Sequence, residues 1–214
     1  IPHNDGAGVI RAVGTGVKPD RVGERVWIWN GQRRRAFGTA ARSIAIASAN
    51  AVRLPDTMTF EQGACLGVPA MTAYESLFAD GDIAGMRVLV TGGAGAVGHY
   101  AIQFAKARGA TVLTTISSDA KADLARKAGA DHCINYKSEN VGERVMAATG
   151  KKGVDAVIDM DFSSNAKLAP AILHPRSKFV VYGNSAPEAT ILSQFMLTNF
   201  IGIQYIFVYE LTAQ

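Results

Sequence analysis

The sequence has 214 residues, about 1.4 times a typical domain of roughly 150 residues, so one full domain plus part of a second is expected. Hydrophobic residues make up 48% and charged residues 19%, which excludes a disordered chain, and no apolar run is long enough to form a spanning helix. The 22 glycines follow no three-residue period, which excludes collagen, and the net charge of +4 (22 Lys and Arg against 18 Asp and Glu) is too mild to indicate nucleic acid.

Residues 1–66 read as a small β-rich unit. Ala7 to Val13 is a strand-like run, Glu24 to Trp29 alternates with aromatic bulk, and Arg42 to Ala47 alternates polar and apolar residues. Gly14-Thr15-Gly16, Pro19-Asp20 and Asn30-Gly31 between them are turn chemistry. The densest basic run, Arg33-Arg34-Arg35, reads as a solvated loop.

Residues 67–214 alternate strand and helix. Strands are predicted at 87–91, 111–116, 132–136, 154–159, 178–182 and 201–209. Helices are predicted at 96–108, 119–128, 141–148 and 165–173, with Asp119 as an N-cap and Gly109, Gly129 and Gly150 as stops. Continuous apolar strands imply burial on both faces of a parallel sheet. The expected class is therefore α/β, a doubly wound Rossmann sheet with its ligand crevice at the carboxyl ends of the strands.

The first of these strands runs into Gly92-Gly93-Ala94-Gly95-Ala96-Val97-Gly98. Gly93, Gly95 and Gly98 fit G-x-G-x-x-G, and Gly92, Gly95 and Gly98 fit a looser form. The pattern is weak alone, but here a strand precedes it and a helix follows. One glycine makes the tight turn, Gly95 lets the backbone approach a pyrophosphate, and Gly98 lets helix and strand pack closely. The helix N-terminus offers unpaired N–H groups to the phosphates. His99 and Tyr100 follow Gly98 where a P-loop would carry lysine, so the loop suits a dinucleotide.

NAD sites place an acid at the end of the second strand to accept from the ribose 2′-hydroxyl. Here that strand ends at Ile116, and Ser117-Ser118-Asp119-Ala120-Lys121 follows. Ser117 is neutral, and hydroxyls with Lys121 suit a 2′-phosphate, so NADPH is the expected cofactor. A small change of register would instead make Asp119 a ribose ligand. The two cysteines, Cys65 and Cys133, are too few and too far apart for a disulfide framework or a zinc spacing. Both read as packed core thiols, in a reducing, cytoplasmic setting.

Several segments together resemble zinc-independent, zeta-crystallin-like NADPH:quinone oxidoreductases of the medium-chain dehydrogenase/reductase superfamily. They are Asp5-Gly6-Ala7-Gly8-Val9, Val22-Gly23-Glu24-Arg25-Val26, the run from Pro55 through Gly67-Val68-Pro69 to Thr72-Ala73-Tyr74, the glycine loop, and Ile134-Asn135-Tyr136-Lys137. Ala40-Ala41-Arg42 departs from the usual Ala-Glu-Tyr. The resemblance implies part of a GroES-like catalytic domain at 1–66 and a Rossmann domain at 67–214. It also implies a parent chain roughly half again as long, so the sequence reads as a fragment lacking both ends of the catalytic domain.

By position, the resemblance places Gly95, Ala96, Val97 and Gly98 on the pyrophosphate. It sets Ser117, Lys121 and Tyr136 around the 2′-phosphate, Thr72 beside the nicotinamide, and Asn184 and Ser185 along the cofactor groove. Zinc relatives carry Gly-His-Glu where this chain has Asn4-Asp5-Gly6, and His3, His99, His132 and His174 are scattered, so no metal is expected. The implied reaction is hydride transfer from NADPH to a quinone, with the protein supplying orientation. Rival readings are an enone or alkenal reductase, a zinc alcohol dehydrogenase, and a cofactor-binding structural or RNA-binding crystallin-like protein. A homodimer through the last Rossmann strand is implied as well.

Overall fold

The computed structural model describes residues 1–211. They form two compact units: residues 1–71 with the described residues from Val208 on, and Thr72–Phe207. No helix among the described residues is long and apolar enough to cross a membrane.

The first unit holds a three-stranded antiparallel sheet, β1 (Gly6–Val9), β2 (Arg25–Ile28) and β3 (Ala51–Arg53), in the order β1-β2-β3. Val26, Ile28 and Ala51 form its small core. Residues 42–47 are not a strand, which corrects the sequence reading. Their alternation is real, because Ile44 and Ile46 pack on that core, but the backbone joins no ladder among the described residues. Helix α1 (Phe60–Ala64) begins at a capping box, in which Gln62 N–H donates to Thr59 Oγ1 and the Thr59 N–H donates to Gln62 Oε1. The arginine run is not simply solvated. Arg33 and Arg34 both donate to Glu210 Oε1, at 2.7 and 2.9 Å, and Arg35 donates to the Ala45 carbonyl.

Helix α2 (Gly67–Phe78) opens against Asp5, whose Oδ1 accepts from the Val68 N–H at 2.8 Å. A Cβ on Gly67 would collide with that carboxylate.

In the second unit the order is β4 (Arg87–Val90), α3 (Ala96–Ala107), β5 (Thr111–Ile116), α4 (Asp119–Ala128), β6 (His132–Asn135), α5 (Val141–Ala148) and β7 (Val154–Asp159). Then follow α6 (Phe162–Asn165), α7 (Ala169–Ile172), β8 (Leu173–Val181), α8 (Ser193–Thr198) and β9 (Gly202–Tyr205). All strand pairs are parallel, in the order β6-β5-β4-β7-β8-β9. This is the doubly wound order, with β4 and β7 flanking the switch point. Side chains alternate between two cores. Val88, Val90, Val112, Ile158 and Val180 face one, while Leu89, Leu113, Val157, Phe179 and Val181 face the other. Each such buried apolar side chain contributes about 1.5–3 kcal/mol, so helices cover both faces.

Several boundaries differ from the sequence reading, among them β1, which ends at Val9 rather than Val13. The helix expected at 165–173 is broken into α6, a 3₁₀ turn at Ala166–Leu168, and α7. Pro170 explains the restart, since a residue without an N–H is tolerated only in a first turn. Strand β8 starts at Leu173 rather than Lys178. The last strand stops at Tyr205, and Val208–Glu210 is a 3₁₀ turn. The N-cap of α4 is Ser118, with Asp119 in the first turn where a carboxylate favours the helix dipole.

Candidate functional site

The glycine loop leaves β4 and enters α3. Gly92 holds φ +67°, the left-handed region that glycine enters without cost. Its N–H donates to Thr115 Oγ1 at 3.1 Å, and Gly93 N–H donates to the Thr115 carbonyl at 3.2 Å, so the loop is fastened to β5. A Cβ on Gly93 would collide with Thr114, and one on Gly98 would lie 2.5 Å from the Gly92 carbonyl. Gly98 therefore lets α3 pack on the loop itself. Gly95 is the N-cap of α3 and has no side chain to cap it. The N–H groups of Ala96, Val97 and Gly98, in the first turn, have no carbonyl within the helix to bond, and the dipole adds partial positive charge there.

A cavity of about 620 Å³ opens beside this loop. Gly92, Ala94 and Gly95 line it together with Ser117, Lys121 and Tyr136. Lys121 Nζ donates to Ser117 Oγ at 3.0 Å, so the fold brings the expected 2′-phosphate residues to the expected loop. Asp119 is not on the cavity wall.

The other predicted residues lie elsewhere. Thr72 is buried on α2 and does not line the cavity. Asn184 and Ser185 are exposed and do not line the cavity. Asn184 Oδ1 accepts from Ser163 N–H at 2.9 Å, while Ser185 donates to Asp161 Oδ1 from its N–H at 3.0 Å and its hydroxyl at 2.8 Å.

The wall contributed by the ends of β4 and β7 and by α6 was missed by the sequence reading. Thr91, Met160, Asp161 and Asn165 line the cavity. Behind them Asp159 is wholly buried, and its Oδ1 accepts from Thr91 Oγ1 (2.8 Å), Asn165 Nδ2 (2.8 Å) and Asp161 N–H (3.2 Å). Burial pushes the Asp159 carboxyl up, against the hydrogen bonds from Asn165 and Thr91. Burial, reinforced by Asp159, pushes the Tyr182 phenol far up. By contrast, hydrogen bonds from Ser163 and Ser185 hold Asp161 far below the usual carboxylate range. The available signal was position: Asp159-Met160-Asp161 ends the strand that flanks the switch point, where such folds bind ligands.

Comparison with known proteins decides the family. The profile described as "Zinc-binding dehydrogenase" matches residues 96–212. The chain belongs to this family. Quinone oxidoreductase of Rattus norvegicus is 34% identical over 183 residues, covering 85% of this chain and 54% of its own length. The chain thus spans about half the length of the curated relatives it matches. The solved Escherichia coli quinone oxidoreductase complexed with NADPH has a TM-score of 0.84 at 31% identity, covering 96% of this chain and 63% of that one. A solved 2-haloacrylate reductase has a TM-score of 0.76 at 28% identity, covering 95% of this chain and 64% of that one.

Among the described residues no group of three or more His, Cys, Asp or Glu side chains could hold a metal ion. Asp5 is engaged with Val68 N–H. Cys65 is exposed, not packed as the sequence suggested, because it is the C-cap of α1 and Gly63 takes the buried position. Cys133 is half-buried, its Sγ donating to the Ala122 carbonyl at 3.7 Å. The described residues therefore do not fit a zinc site.

A dinucleotide does fit. The cavity is lined by Gly92, Ala94 and Gly95 of a loop with no room for a Cβ at Gly93 or Gly98, and by a lysine–serine pair one strand away, while Ala96, Val97 and Gly98 in the adjoining first turn of α3 are not on its wall.

Proposed function

We propose that this chain is the cofactor-binding part of an NADPH-dependent oxidoreductase that delivers hydride to a quinone. The observation that carries the reading is the convergence of the glycine loop, Ser117, Lys121 and Tyr136 on one cavity, with no acid at the end of β5. The similarity to quinone oxidoreductases, one of them complexed with NADPH, supports it.

In this reading the N–H groups of Ala96, Val97 and Gly98 bind the pyrophosphate, with Gly95 allowing its approach. Lys121 and the hydroxyls of Ser117 and Tyr136 bind the 2′-phosphate, and Thr72 positions the nicotinamide carboxamide. Asn184 and Ser185, exposed beside the groove, brace its wall through Ser163 and Asp161. When bound, NADPH supplies the hydride, and the chain's residues orient it.

A second reading, reduction of an α,β-unsaturated acid or ketone, is favoured by the similarity to a 2-haloacrylate reductase. The partners proposed are a small-molecule acceptor and a second copy of the chain. Strand β9 is a sheet edge, and Phe200, Tyr205 and Phe207 near it are exposed. A reducing, cytoplasmic setting completes the proposal.

The test is NADPH against NADH titration by fluorescence, followed by NADPH oxidation with panels of quinones and enones in the full-length protein. Quinone turnover supports the first reading, enone turnover alone the second. Binding without any turnover points to a structural cofactor-binding role, and absence of NADPH binding overturns all three. Gel filtration giving a monomer overturns the dimer.

A further inference from the structure

We infer that Asp161 is a ribose ligand, accepting hydroxyl hydrogen bonds from the nucleoside that lies on the far side of the glycine loop from Lys121. The inference rests on the dinucleotide reading of the cavity and adds a residue to it.

The sheet order provides the geometry. The strand ends run β6, β5, β4, β7, β8 across the crevice. Tyr136 follows β6, Ser117 follows β5, the glycine loop follows β4, Asp161 follows β7 and Ser185 follows β8. Asp161 and Lys121 both line the cavity, on opposite sides of the loop. A dinucleotide whose pyrophosphate lies over the loop, with its phosphorylated ribose at Lys121, extends its other nucleoside over the end of β7.

The chemistry matches that placement. Ser163 Oγ at 2.7 Å, Ser185 Oγ at 2.8 Å and Ser185 N–H at 3.0 Å all donate to Asp161 Oδ1. None of these three bonds falls on Oδ2. The convergence fixes the orientation of the carboxylate and keeps it ionised. A fixed, ionised carboxylate on a cavity wall is suited to the vicinal hydroxyls of a ribose, since charge-assisted hydrogen bonds are the strong ones. It is equally unsuited to a phosphate. The cavity wall thus carries Lys121 on its β5 side and, on its β7 side, Asp161 with Lys167 beyond it, so the carboxylate rather than the net charge of that side would recognise the ribose.

The experiment compares wild type, Asp161→Ala and Asp161→Asn in binding NADPH and 2′,5′-ADP, the adenosine half of the cofactor with its 2′-phosphate. Both variants are expected to weaken NADPH about tenfold, the loss of roughly one charge-assisted hydrogen bond, and to leave 2′,5′-ADP unchanged. Unchanged NADPH affinity in Asp161→Asn overturns the inference. Equal weakening of both ligands also overturns it, because the residue then serves the adenosine half or the fold. Asp161→Asn keeps an acceptor for the serines, so it decides the matter if Asp161→Ala does not fold. Wild type that binds neither ligand defeats the dinucleotide reading itself, a result distinct from wild type that binds both while the variants match it.

Discussion

Lys121 Nζ donates to Ser117 Oγ at 3.0 Å, joining the first turn of α4 to the end of β5 on the cavity wall. Replacing the ammonium by an amide removes the charge and keeps a polar end on a side chain one atom shorter. Lys121→Gln is expected to weaken NADPH about tenfold, at about 1.4 kcal/mol per decade, and to leave NADH unchanged. Fluorescence titration of both nucleotides checks this, and equal losses would place Lys121 away from the 2′-phosphate.

Gly98 faces the Gly92 carbonyl too closely for a methyl group. Gly98→Ala is expected to cost about 1–3 kcal/mol, as overpacking does, and to abolish dinucleotide binding by lifting α3 from the loop. Gly14 has nothing within 4 Å of a built Cβ, so Gly14→Ala is expected to stay within about 0.5 kcal/mol of wild type. Thermal unfolding of the two variants separates a packing effect from a general one.

Asp155 supplies a pH signature at the opposite end of the sheet. Burial raises its carboxyl, but hydrogen bonds from Arg87, through its guanidinium and its N–H, and from His174 outweigh that and hold it at about 2. The folded value lies below the unfolded 3.8, so the group's contribution to stability is present above 3.8 and is lost as pH falls toward about 2. Acid unfolding of Asp155→Asn should lack this part of the slope.

Asp159 has the reverse sign. Its folded value is raised, so its contribution is full below 3.8 and is lost as pH rises through that higher value. Asp159→Asn keeps an acceptor for Thr91, Asn165 and Asp161 while removing the buried charge, and should equal or exceed wild-type stability at pH 7. Asp159→Ala strands three donors and should cost about 1–3 kcal/mol or more. Denaturant unfolding of both variants across pH checks the pair of expectations.

The Rossmann sheet was legible because its strands are apolar on both faces and its helices are bounded by glycines such as Gly109 and Gly129, both in the left-handed region. The glycine loop and Ser117–Lys121 were legible because each is local in sequence. Residues 42–47 misled, since period-two burial of Ile44 and Ile46 does not require a ladder. The Asp159–Asp161 wall was illegible for a different reason. Its partners are distant in sequence, with Thr91 and Asp159 separated by 68 positions and Ser185 and Asp161 by 24, and no short pattern announces such pairs. Cys65 shows the same limit: an apolar neighbourhood did not reveal which side of a five-residue helix faces inward.

The loops after β7 and β8 hold one another through Ser163–Asn184 and Asp161–Ser185. A guest arriving at the crevice meets a wall already assembled, so little backbone entropy is surrendered on docking. Selectivity there becomes a matter of shape and charge set during folding, and a single lost serine hydroxyl can blunt it without disturbing the sheet beneath.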